Sequence, residues 1–149
     1  MTPNRLIIRE VAPGAYEALS KVEAYIRHSG LEKSLIELVK MRASQINHCA
    51  YCMHMHSQDA RKAGETEARL YVLPGWRESP LYSPRERAAL AWTECLTRLP
   101  SEGAPEGVWR EVTEHFTQQE AANLTVLIGM INLWNRFGVG FALQHPVAA

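Results

Sequence analysis

Two cysteines two residues apart, Cys49-Ala50-Tyr51-Cys52, followed by His56, are the part of this sequence whose residue types and spacing could do chemistry. A C-x-x-C pair brings two sulfurs close enough to cycle between dithiol and disulfide. Where such a pair opens a helix, unpaired backbone N–H groups and the positive end of the helix dipole favour the thiolate, the effective nucleophile. His56 lies four residues after Cys52, so on a helix the two side chains share a face one turn apart. From there the imidazole could hydrogen-bond the thiol or shuttle its proton.

Other readings stand beside this one. Zinc knuckles also use C-x-x-C, and His54 and His56 could join Cys49 and Cys52 as ligands. No second C-x-x-C or H-x-x-x-H supplies the usual further ligand pair, however, and two histidines two residues apart point in about opposite directions on a helix. The reading therefore assigns no metal. The pair could also be inert buried thiols, since free cysteine is among the most buried residue types. Alternatively it could serve a non-catalytic redox-sensing or binding module. The third cysteine, Cys95, stands among Ala91, Trp92 and Leu96 and reads as core.

The elements that must position these residues are helices. Pro13 can open a helix over residues 13–28 in which Leu19, Val22 and Ile26 recur at helical spacing, with Gly30 as its stop. A second, from Glu32 to Gln45, places Leu35, Leu38, Val39, Arg42 and Ile46 on one side. Glu37, Met41 and Ser44 share another. Asn47-His48 interrupts the pattern, and good helix formers resume from Cys49 to Lys62, ended by Gly64.

Ser83-Pro84-Arg85-Glu86 has the form of a capping box that opens a helix over 84–98, with Trp92, Cys95, Leu96 and Leu99 expected inward. Pro105 starts another with Trp109, Val112 and Phe116 on one face. A second capping box, Thr117-Gln118-Gln119-Glu120, opens the longest helix, whose stripe is Leu124, Leu127, Ile128, Ile131 and Trp134 and whose end is marked by Asn135-Arg136. The four tryptophans are expected to fill the core or subunit contacts. No strand pattern, repeat or linker is evident. The expectation is one all-α domain, a helical bundle over residues 1–149.

A chain of 149 residues can bury a core without disulfide staples, which leaves its cysteines free for chemistry. Sixteen basic and sixteen acidic residues cancel, so nucleic acid and membrane surfaces are poor partners. The stretch Met1 to Glu10 has only a three-residue apolar run and lacks the hydrophobic region of a secretory signal, and the expected location is cytoplasmic. Three cysteines in that setting favour redox chemistry or metal binding over a structural bridge.

Glu37, then Cys49-Ala50-Tyr51-Cys52 and His56, resembles the Glu-x11-Cys-x-x-Cys-x-x-x-His signature of the AhpD-like alkylhydroperoxidases of the carboxymuconolactone decarboxylase superfamily. Gly64-Glu65-Thr66-Glu67 and Asn132-Leu133-Trp134-Asn135-Arg136-Phe137 resemble that group's flanking segments. The resemblance implies an all-α fold, assembly into homo-oligomers such as trimers or hexamers, and thiol peroxidase activity toward organic hydroperoxides. It implies Cys52 as the attacking cysteine, Cys49 as the resolving one, and Glu37 with His56 as a proton relay. It also implies no cofactor, with reducing equivalents arriving from a dithiol protein or a small thiol. The best-known branch has histidine between the cysteines where this chain has Tyr51. The decarboxylase branch lacks the cysteine pair, which argues against lactone decarboxylation here.

Overall fold

The signals at Pro13, Gly30, Gly64, Ser83, Pro105 and Thr117 each begin or follow a helix in the computed structural model, which describes residues 3–147. Among the described residues eight α-helices run α1 (Ile8–Val11), α2 (Pro13–Arg27), α3 (Lys33–Ile46), α4 (Ala50–Lys62), α5 (Glu67–Tyr71), α6 (Pro84–Arg98), α7 (Glu106–His115) and α8 (Gln118–Gly140), with a 3-10 turn over Leu73–Gly75. No strand occurs among the described residues. Both capping boxes form as read. Ser83 and Thr117 each accept from the backbone of the third helical residue, and Glu86 and Glu120 each reach back to the cap's own N–H.

The bundle is built around α3. Its residues Leu35, Ile36, Leu38, Val39, Met41, Ala43 and Ser44 are buried, so this helix is covered on nearly every side rather than along one stripe. Leu35, Ile36 and Val39 face one core cluster with Ile26, Val112, Leu124 and Leu127. Leu38 and Met41 face another with Leu70, Leu73, Trp76 and Leu90. Full burial of an aliphatic side chain is worth about 1.5–3 kcal/mol, so displacing α3 would forfeit several such contributions.

Two expectations need correction. The long helix does not stop at Asn135-Arg136 but continues to Gly140, and this extension reaches the cysteine pair. Leu99 is not inward: it caps α6 in a left-handed conformation (φ 39°) and is 70% exposed. Among the tryptophans, Trp76 and Trp92 are buried and Trp134 packs against the first core cluster while also lining a cavity; Trp109 lies at the surface against Trp92 (ring centroids 5.5 Å apart). The short helices α1 and α5 carry too few residues for a 3.6-residue period to declare itself, and neither was anticipated. Cys95 is a free, half-buried thiol packed against the first cluster.

Among the described residues, no helix is long and apolar enough to cross a membrane.

Candidate active site

A tight corner between α3 and α4 presents the cysteine pair. His48 takes a left-handed conformation (φ 54°), the chain reverses, and the Cys49 N–H donates to the Ser44 carbonyl at 3.0 Å. Cys49 is the N-cap of α4 rather than part of its first turn, and its Sγ accepts from the Cys52 N–H at 3.3 Å. The sulfur thus occupies the place where a serine or aspartate oxygen would sit, at the positive end of the helix. Cys49 and Cys52 are joined in a disulfide, with Cα atoms 5.3 Å apart.

Helix α8 lies directly on this disulfide, and only glycine permits the contact. A Cβ on Gly138 would stand 2.5 Å from Cys49 Sγ and 3.3 Å from Cys52 Sγ. A polar ladder holds α8 in register. Asn47 Nδ2 donates to the side-chain oxygens of Asn132 and Asn135, both at 2.9 Å, and Asn135 Nδ2 donates to Ser44 Oγ at 2.9 Å. Asn135 is 1% exposed, which resolves the Asn135-Arg136 pair into a buried polar contact beside an exposed arginine. Gly138 was missed from the sequence, though a glycine inside a helical run, about 1 kcal/mol worse than alanine, is a signal that something approaches closely.

The two sulfurs have different surroundings. Both are buried, but only Cys52 lines a cavity of about 640 Å³. Its walls include Tyr16, Tyr51, Met55, Trp134 and Phe137. The segment before α2 closes it from one side and the residues after α8 from the other. These are stitched together where Arg5 N donates to the Phe141 carbonyl at 2.8 Å and Gln144 N to Asn4 Oδ1 at 3.0 Å. Cys52 Sγ lies 3.9 Å from the Trp134 carbonyl oxygen.

On the α3 side, His56 is buried and its Nδ1 is 3.2 Å from Glu37 Oε2. The face of α3 that turns away from the larger stripe is therefore the face α4 covers. With an ionised Glu37, Nδ1 must carry the proton and donate, which leaves Nε2 as the free acceptor. Cys52 is one turn earlier on the same helix. The structure thus pairs Glu37 with His56, and His56 shares the face of Cys52. His48 is exposed at the corner, and His54 stacks on His145 (centroids 4.4 Å apart), away from His56.

Asp59 is a second residue near the site that was not anticipated. Donor atoms of Glu37, His56 and Asp59 lie within 4.8 Å of one another, so the grouping that could hold a metal ion differs from the Cys49, Cys52, His54 and His56 set weighed from the sequence. Asp59 could have been found as the residue three after His56 on one helical face.

The model of the carboxymuconolactone decarboxylase family matches residues 13–94, which run from α2 into α6 and contain Glu37, both cysteines of the pair and His56. The chain belongs to that family. It is 40% identical over 136 residues to the uncharacterized protein YdfG of Bacillus subtilis, covering 91% of this chain and 92% of YdfG. A crystal structure from Agrobacterium tumefaciens, of a protein of unknown function described as a putative antioxidant defence protein AhpD, superposes with a TM-score of 0.93. It is 41% identical and covers 98% of this chain and 100% of the other. The debrominase Bmp8 shares the fold, with a TM-score of 0.79 at 18% identity over 89% of this chain and 71% of its own. This family member therefore has the AhpD-like helical fold, as its sequence motif implies.

Proposed function

We propose that this protein is a thiol peroxidase that reduces organic hydroperoxides through a dithiol/disulfide cycle of Cys49 and Cys52. The observation that carries the reading is the asymmetry of the two sulfurs: Cys52 opens on the cavity while Cys49 sits at the helix cap under Gly138. His56 Nε2 takes the Cys52 thiol proton, with Glu37 fixing the tautomer and stabilising the imidazolium. The Cys52 thiolate attacks the terminal peroxide oxygen. The O–O bond breaks, the alkoxide leaves as alcohol with a proton from His56, and Cys52 becomes a sulfenic acid. Cys49 then attacks that sulfur, forming the disulfide and releasing water. An external dithiol protein or small thiol supplies the two electrons that reopen it.

Support comes from the likeness to the putative antioxidant defence protein and from an oxidised pair in a site with a histidine and a carboxylate. The protein works as a homo-oligomer, trimer or hexamer, in the cytoplasm. Reduced protein titrated with a small organic hydroperoxide and followed by mass spectrometry should lose two thiols per chain and form the Cys49–Cys52 disulfide, with Cys52→Ser inert. Slow oxidation that also proceeds in Cys52→Ser would overturn the reading and leave the redox-sensing alternative.

A further inference from the structure

The cavity above Cys52 has a chemical character that the peroxide cycle alone does not require. A peroxide no larger than hydrogen peroxide needs the room of about two water molecules, whereas about 640 Å³ corresponds to roughly twenty. Most of its wall is apolar, with Ile7, Ile8, Met55, Phe137 and Leu143 offering no partner to a polar ligand. Its charged lining residues are Arg9, Glu23 and Arg27. Glu23 is already neutralised: Oε2 accepts from Lys40 Nζ at 2.9 Å and Oε1 from Trp134 Nε1 at 2.7 Å. Arg9 and Arg27, by contrast, make no ion pair among the described residues. A chain with zero formal net charge therefore places two exposed guanidinium groups without ion pairs in the lining of a mostly apolar space that also includes Cys52.

We infer that this cavity selects amphipathic hydroperoxides bearing a carboxylate, with the acid held by Arg9 and Arg27 and the apolar body lying against the aromatic and aliphatic wall toward Cys52. The inference rests on the peroxidase reading and names its substrate class. Arginine suits the task because its planar fork matches a carboxylate bidentately and stays charged at any physiological pH. The apolar wall supplies affinity, and the two arginines fix the orientation of the ligand.

The direct test is binding to the oxidised protein, which needs no turnover. Hydroxydecanoic acid, the type of product such a substrate would leave, and its methyl ester are titrated by calorimetry. The acid is expected to bind at least about tenfold more tightly at low salt. Arg27→Gln and Arg9→Gln should each lower the acid-to-ester ratio by about three- to tenfold, and salt should compress it in the wild type. Equal affinity for acid and ester, a ratio unmoved in both variants, or no binding of the acid would each overturn the inference.

A kinetic arm separates sources of the same chemistry. In Arg27→Gln the acid-to-ester ratio should fall for Cys52 oxidation by the matched hydroperoxides. If it falls only for reduction of the disulfide by a mercapto acid against its ester, the cavity serves the reductant and the substrate assignment is wrong. Oxidation of the wild type by tert-butyl hydroperoxide, which has no carboxylate, tests the peroxidase reading separately. Its failure alongside retained acid binding would remove the cycle and leave the cavity's selectivity standing.

Discussion

Glu94 and Glu37 are both carboxylates turned into the bundle, yet their surroundings differ in kind. Glu94 accepts from Arg42 Nε at 2.8 Å, from Trp76 Nε1 at 2.9 Å and from Arg77, and Arg98 stands 3.7 Å away. Burial alone would raise its pKa, but the hydrogen bonds from Arg77, Trp76 and Arg42 more than reverse this and hold the carboxyl below the ordinary carboxylate range. Glu37 meets no arginine or lysine among the described residues, and its partner is the imidazole of His56. A carboxylate saturated by permanent cations is a structural pin. One whose partner is an imidazole lacks that pinning, as the proposed proton relay requires. Burial does not separate the two roles, but the identity of the partners does.

That contrast can be broken or sharpened by mutation. His56→Asn should slow peroxide oxidation of Cys52 by roughly 10²- to 10⁴-fold at neutral pH, the usual worth of a positioned acid–base group, with Glu37→Gln moving the same way. Stopped-flow thiol loss would measure it, and an equal loss in Glu94→Gln would erase the distinction.

Glu94→Ala instead should cost about 3–5 kcal/mol of stability in denaturant unfolding, because it strands the buried Arg42 guanidinium. Its pH signature also follows. A carboxyl whose folded pKa is depressed contributes stability that is present above its unfolded pKa and lost as pH falls through the folded value. Glu94→Gln should therefore flatten the acid limb of a stability profile below the ordinary carboxylate range.

Gly138→Ala should destabilise the oxidised protein by about 1–3 kcal/mol through overpacking against Cys49 Sγ. The reduced protein should suffer less, since free thiols can rotate away, so the variant should favour the dithiol form in a redox titration. The smallest effect expected is at Leu99. Relief of a left-handed, non-glycine cap in Leu99→Gly should raise stability by about 1 kcal/mol, read from the melting temperature.

Much of this was legible in the sequence where the signal was local. The capping boxes at Ser83 and Thr117, the breaks at Gly30 and Gly64 and the stripe of α8 depend on neighbours within one or two turns, and they appear as read. The pairing of Glu37 with His56 was visible only through the family motif, since nothing within α3 distinguishes that carboxylate from one on a solvated face. What stayed hidden is what α8 does across the molecule. Gly138 beside the disulfide, Trp134 on the cavity wall and the closing of that cavity by both ends of the described chain are contacts between residues more than eighty positions apart. No periodicity encodes them.

The most direct test of the central claim asks which sulfur the peroxide oxidises. Reduced Cys49→Ser and Cys52→Ser would be treated with one equivalent of an organic hydroperoxide in the presence of a sulfenic-acid trap and mapped by mass spectrometry. The account predicts the trapped adduct on Cys52 in Cys49→Ser and little reaction in Cys52→Ser. An adduct that forms faster on Cys49 would contradict it, because the sulfur under Gly138 would then be the one that meets substrate.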